Sequence, residues 1–364
     1  TLSSSSAASD VYKRQVEPTE DGGMFVHTSS QHPSEVQKLV AEVLGLPIHE
    51  VQAEVRRMGG GFGGKETQAA PLACVAALLA HATRRPVRYR LSRADDMVQT
   101  GKRHDFYNTY DIGFDDDGLI RGADIMVAGR CGYSPDLSDA IVDRAMFHAD
   151  NAYYLDQARV VGHRCKTHTV SNTAFRGFGG PQGMMIIEQA MDDIARHLGR
   201  DPLDIRKLNL YRPGRDTTHY GQTVEQHVLA ELMETLETSA DYRQRRAEIT
   251  AYNRTSPVLK RGLALTPVKF GISFTAKHLN QAGALVHIYT DGSIVVNHGG
   301  TEMGQGLYIK VAQVVASAFQ VDLERVKVSA TRTDKVSNTS PTAASSGSDL
   351  NGMAALDACE KILD

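Results

Sequence analysis

Cysteine is scarce in this sequence and shows no pairing pattern: Cys74, Cys131, Cys165 and Cys359 are scattered, with no C-x-x-C among them. That spacing excludes a thiolate-held zinc site or iron–sulfur cluster. The four are expected to be buried thiols of a cytoplasmic protein. A basic excess is missing as well. Lys and Arg total 40 against 43 Asp and Glu, a net charge of -3, so nothing drives counterion release from nucleic acid. Long apolar runs are absent too. The longest, Ala70 to Ala80, contains Pro71 and falls short of the roughly 20 residues that cross a bilayer. Residues 1–15 have neither a basic nor an apolar signal region. Their Ser/Ala run before Asp10-Val11-Tyr12-Lys13-Arg14-Gln15 reads as a non-native leader, and the fold is reasoned without it.

What remains is the composition of a folded, water-soluble protein, 41% hydrophobic and 23% charged. At 364 residues it exceeds one ordinary domain, so two adjoining units are expected. Val36, Leu39, Val40, Val43 and Leu44 recur at helical spacing after Pro33, with Gly45 as a stop. Ile48 to Arg57 alternates like a strand and runs into Gly59-Gly60-Gly61-Phe62-Gly63-Gly64. Asp117-Gly118 and Asp291-Gly292 each divide two strand-like runs, predicting two antiparallel hairpins. Helical periodicity returns over 184–198, 204–210, 228–236 and 307–319, and a further helical pattern starts near Gly352. The fold class is α+β. The polar stretch 241–261 marks the division into units 16–245 and 258–364, the second incomplete because Asp364 interrupts a helix.

Three glycine-rich loops precede predicted helices: 58–66, 175–182 and 298–306. A fourth loop, 340–348, is rich in hydroxyls. Glycine lets backbone approach a ligand, and a helix start adds unpaired N–H donors, so such loops can cradle an anionic group. One glycine cluster is more often only a tight turn. Four converging loops suggest one large ligand. The first nearly matches a nucleotide P-loop, but Glu66 stands where a Ser or Thr would hold magnesium. A carboxyl there suits a neutral heterocycle better than phosphates. Arg176 between Phe175 and Phe178 either holds an anionic cofactor or is a surface arginine beside two core aromatics.

These segments resemble the molybdenum-binding part of the xanthine dehydrogenase/aldehyde oxidase family. The matching motifs are 58–67 (MGGGFGGKET), 174–182 (AFRGFGGPQ), 269–275 (KFGISFT), 299–306 (GGTEMGQG) and 340–344 (SPTAA). The resemblance runs from about Met24 to the end. It implies two mixed α/β molybdopterin-binding subdomains, the second truncated, holding a molybdenum–molybdopterin cofactor. Gln31, Phe62, Gly63, Arg176, Gln305, Ala343 and Ala344 would surround that cofactor. Gln31, Phe62, Arg176 and Ala344 would face the metal. Glu66 and Arg144 would orient a purine, Phe178 and Phe274 would sandwich it, and Thr275 would touch its polar edge. The bland alternatives are that Glu66 caps a helix and that Arg144 pairs with Asp143 or Asp150 at the surface.

The implied reaction oxidises hypoxanthine or xanthine to urate with oxygen from water, electrons passing to [2Fe–2S] clusters, FAD and NAD on other domains or subunits of a dimeric enzyme. Other hydroxylases of the family, of aldehyde oxidase type, or a non-catalytic relic are the competing readings. The family's general base is a glutamate in a glycine-containing motif, and no Gly-Glu dipeptide occurs here. It is expected beyond Asp364, leaving this stretch inactive alone.

Overall fold

The computed structural model describes residues 14–364. A five-stranded sheet opens the chain: β1 (Arg14–Pro18), β2 (Met24–His27), β3 (Val51–Val55), β4 (Val87–Tyr89) and β11 (Thr331–Arg332), in the order β11-β3-β2-β1-β4. Helices α1 (Pro33–Leu44) and α2 (Ala70–Thr83) cover it. The core between them joins Val16, Met24, Val26, Val51 and Ala53 to Val36, Val40 and the alanines of α2. Small side chains on α2 let the helices and sheet close at short range. Pro33 starts α1 and a left-handed Gly45 ends it, as the sequence predicts. Arg14 and Gln15, set aside with the leader, pair in β1 with Tyr89 and His27.

A second sheet runs β5 (Phe106–Phe114), β6 (Ile120–Gly132), β7 (Ala158–Lys166). Helices α3 (Arg93–Gln99) and α4 (Ser138–Phe147) flank β5 and β6 in the chain, and α5 (Gly180–Leu198) and α6 (Pro202–Asn209) follow β7. Its core holds Ile120, Ile125, Val127, Ile187, Met191, Leu203 and Tyr153. A third sheet, β10-β9-β8, comprises β8 (Ala284–Ile288), β9 (Ile294–His298) and β10 (Val326–Val328), covered by α9 (Leu307–Phe319) and α10 (Gly347–Leu363).

Both expected hairpins form, but each sheet also carries a parallel strand, β7 on β6 and β10 on β9. Periodicity around a tight turn reveals only neighbours in sequence. Parallel partners arrive through crossover helices and leave no local mark. The polar stretch 241–261 also holds more structure than its composition suggests. After α7 (Leu229–Ser239), helix α8 (Tyr242–Thr255) buries Tyr242 in the second core. Ion pairs hold it in place: Arg243 to Asp204 at 2.6 Å and Arg246 to Asp201 at 3.2 Å. Of the four cysteines, Cys165 is exposed on β7, contrary to expectation, and the others are buried. Among the described residues no helix is long and apolar enough to cross a membrane.

Strand β11 belongs to the later part of the chain yet pairs with β3 of the first sheet. The glycine loops after β3, before α5 and after β9 thereby converge on one place.

Candidate active-site cavity

The tetrapeptide Gly-Phe-Gly-Gly occurs twice, at 61–64 and 177–180. Both copies make the same turn, the first carbonyl accepting the fourth N–H at 3.0 Å and 2.9 Å. Both phenylalanines are left-handed, φ 54° at Phe62 and 48° at Phe178. Ala344 and Ser345 share that conformation, at 56° and 58°. Each such residue costs on the order of 1 kcal/mol and persists only where its surroundings impose it. All four line one cavity.

Gln31 ties the loops together. Its buried amide oxygen accepts the N–H groups of Gly63 at 2.9 Å and Lys65 at 3.4 Å, and its Nε2 donates to the Thr342 carbonyl at 3.0 Å. Gly61 has to be glycine, because an added Cβ would lie 2.7 Å from Gln31 Oε1 and 2.8 Å from Met303 Sδ. The third glycine loop folds around Glu302, whose carboxylate accepts the amides of Gly304, Gly306 and Tyr308 at 2.8 to 3.1 Å. Burial pushes the Glu302 carboxyl up, but these backbone donors outweigh it and hold it below its ordinary value. Thr301 N–H donates to the Thr342 hydroxyl, and Gln305 closes on Thr301 and Met303 within the loop.

The cavity encloses about 510 Å³. Gln31, Phe62, Gly63, Glu66, Arg144, Arg176, Phe178, Phe274, Gln305, Ala343 and Ala344 all line it. Thr275 does not. It is exposed and outside the lining, so no substrate contact is assigned to it. The cavity also contains Phe175, Met303, Thr342, Ser345 and Ser348, which sequence reasoning placed in the ligand-cradling loops without individual roles, and Phe270, to which it gave none. Phe270 had one available signal, standing four residues before Phe274 in the same motif.

Glu66 and Arg144 are the buried ionisable groups of the lining, only 6% and 4% exposed. Burial, with smaller repulsion from Glu35 and Asp136, pushes the Glu66 carboxyl up to about 8. It is therefore protonated at neutral pH and can donate a hydrogen bond. Among the described residues it has no hydrogen bond or ion pair of its carboxyl, so it caps no helix. Arg144 is not a surface partner of the neighbouring aspartates. Asp143 pairs with Arg164, and Asp150 bonds Lys269 and Tyr211. Burial draws the Arg144 guanidinium below its usual range. It donates to the carbonyls of Gly271 and Ser273 and lies 5.9 Å from the Phe178 ring centroid and 5.5 Å from that of Phe270.

Among the described residues no three His, Cys, Asp or Glu side chains cluster so as to hold a bare metal ion. Close-approach backbone at Gly61, small walls at Ala343 and Ala344, and Ser348 and Gly347 at the start of α10 fit a broad group with an anionic end.

A family model described as a molybdopterin cofactor-binding domain matches residues 10–210, and a second of the same description matches 235–364. Xanthine dehydrogenase of Drosophila subobscura is 51% identical over 345 residues, 95% of this chain and 26% of that protein. Xanthine dehydrogenase 1 of Arabidopsis thaliana is 50% identical over 95% of this chain and 25% of that protein. The chain thus spans about a quarter of the length of these relatives. Among solved structures, quinoline 2-oxidoreductase from Pseudomonas putida 86 superposes with a TM-score of 0.84 at 24% identity, over 97% of this chain and 47% of that one. The aldehyde oxidoreductase of Desulfovibrio gigas gives 0.78 at 27%, over 96% and 38%.

Proposed function

This chain belongs to the molybdopterin cofactor-binding family, and on that premise we propose that it forms the substrate and cofactor cavity of a purine-oxidising molybdenum hydroxylase acting on hypoxanthine or xanthine. The observation that carries this reading is the buried pair Glu66 and Arg144 sharing one cavity with Phe178 and Phe274. A flat, polar, nitrogenous ring needs that combination of apolar faces and a few placed polar groups. An aldehyde needs no such pair.

Gln31, Phe62, Gly63, Arg176, Gln305, Ala343 and Ala344 would hold the molybdopterin, with Gln31, Phe62, Arg176 and Ala344 nearest its metal. The bound molybdenum centre supplies oxygen transfer from water and accepts two electrons. The chain's own residues do the rest. Glu66 donates a hydrogen bond to an acceptor on the purine and sets its orientation. Arg144, always charged, stabilises negative charge that builds on the ring as a C–H bond is replaced by C–O. The phenylalanines exclude water from the ring's faces.

Electrons would leave through [2Fe–2S] clusters and FAD to NAD on parts of a dimeric, cytoplasmic enzyme outside these residues, where the general-base glutamate is also placed. The division into units 16–245 and 258–364 is part of the same proposal. The test is turnover by the full-length holoenzyme. Xanthine should yield urate, and Glu66→Ala should abolish this while sparing aldehyde oxidation. Xanthine turnover intact with aldehyde turnover lost would assign an aldehyde oxidase instead, and a full-length protein without molybdenum would assign a relic.

A further inference from the structure

The segment 267–274 runs along the cavity with almost no regular structure, yet side chains bond its backbone at 267, 269, 271 and 273, the Ser273 N–H donates to the Ala344 carbonyl, and Asn280 bonds both the N–H and the carbonyl of Phe274. Asn151 Nδ2 donates to the Pro267 carbonyl at 2.9 Å, and Asn151 Oδ1 accepts the Lys269 N–H at 3.1 Å. His148 Nε2 accepts the Gly271 N–H at 3.0 Å. Arg144 donates to the carbonyls of Gly271 and Ser273. These side chains come from α4 and the turn after it, and they satisfy the segment as a neighbouring strand's backbone would. The Lys269 side chain is anchored too, its Nζ 2.6 Å from the fully buried Asp150.

His148 is the central rung. Its Nδ1 lies 2.8 Å from the Arg144 carbonyl, a pairing that needs a proton on Nδ1. Nε2 is then left as the acceptor that Gly271 requires. These bonds, with Asn280 holding the Phe274 backbone, set Phe270 and Phe274, four residues apart, at the same cavity. The Phe270 ring lies 5.0 Å from the imidazole. It fits because residue 180 is glycine, where a Cβ would come within 2.7 Å of it.

We infer that this side-chain ladder of Arg144, His148 and Asn151 is a positioning device for the substrate, holding Phe270 and Phe274 as two walls of the cavity, with His148 as a positioning residue and Phe270 as a specificity-determining one. The inference rests on the purine reading above. Loosening the ladder at His148 enlarges the slot while the Arg144 guanidinium keeps its own bonds to the Gly271 and Ser273 carbonyls. Ring binding suffers before turnover does.

In the full-length holoenzyme, His148→Phe keeps a ring against Phe270 and removes both hydrogen bonds. KM for xanthine is expected to rise about tenfold, with kcat within about twofold and molybdenum content unchanged. His148→Gln, which can donate and accept, should recover part of the loss. Hydrogen exchange at the Gly271 amide should quicken in His148→Phe whatever the substrate. If His148→Phe does not fold, Asn151→Ser weakens the rungs at 267 and 269 and should give the same split. An unchanged KM, or a fall in kcat and molybdenum content alone, would overturn the ladder. Run beside these, Glu66→Ala separates the two ideas. Loss of xanthine turnover there with no effect of the ladder variants sinks the ladder only. Retention there, with quickened Gly271 exchange in His148→Phe, sinks the purine reading only.

Discussion

Gln31 and Thr342 stand 311 residues apart and meet through a 3.0 Å hydrogen bond from the Gln31 amide to the Thr342 carbonyl. The same side chain receives the Gly63 N–H, so one buried amide sets the spacing between loops from both ends of the chain. Gln31→Ala leaves that N–H and that carbonyl without partners. Each buried orphan costs about 1–3 kcal/mol. A lower thermal midpoint with reduced molybdenum retention is expected, read by calorimetry and metal analysis. An unchanged midpoint would show that the loops are held elsewhere.

Gly61→Ala tests the close approach. Its methyl group would collide with Gln31 Oε1 and Met303 Sδ. The glutamine cannot swing aside without breaking three bonds. The loss should be about 1–3 kcal/mol and should vanish largely in a Gln31→Ala background, a non-additivity that a double-mutant cycle reads directly.

The Glu66 carboxyl, raised from 4.5 to about 8, makes a signed pH prediction. A carboxyl held protonated in the fold stabilises it fully below its unfolded value. That contribution is lost as pH rises through the folded one. Relative to Glu66→Gln, the wild type should lose stability between pH 4.5 and about 8, by at most about 5 kcal/mol, and then level off. Urea titrations across that range measure it. Xanthine binding should weaken above pH 8 in the wild type, and this alkaline limb should be missing in Glu66→Gln.

Glu302 behaves in the opposite sense. Its carboxyl is held below the ordinary 4.5 by backbone donors, so its contribution is present above that value and fades as pH falls through the depressed one. Glu302→Gln should lower the melting temperature at pH 7, and the gap to wild type should close in acid. A gap that does not narrow as the pH is taken down through the acid range would mean the loop does not depend on the charge.

The lining was legible wherever motif and geometry coincide. The two Gly-Phe-Gly-Gly segments could be read from sequence because glycine-rich runs ahead of predicted helices mark backbone that can approach a ligand closely. Phe270 escaped because a phenylalanine beside a lysine looks like any core residue until Gly180 is seen to make room for it. Thr275 was expected at the cavity because the family resemblance implied a contact with the substrate's polar edge. Adjacent residues of an extended segment face opposite ways, and Thr275 is the exposed one. Helix α8 was hidden because charge pairs rather than an apolar stripe attach it.

Strand β11 closes against β3, and Thr333 beside it receives the Ala53 N–H from 280 residues away. During synthesis, the early sheet must wait with an open edge until this late segment has left the ribosome. The cavity wall is therefore completed only after this segment has been made. Until then the waiting edge of β3 is where a product stalled before β11 would stick to its neighbours.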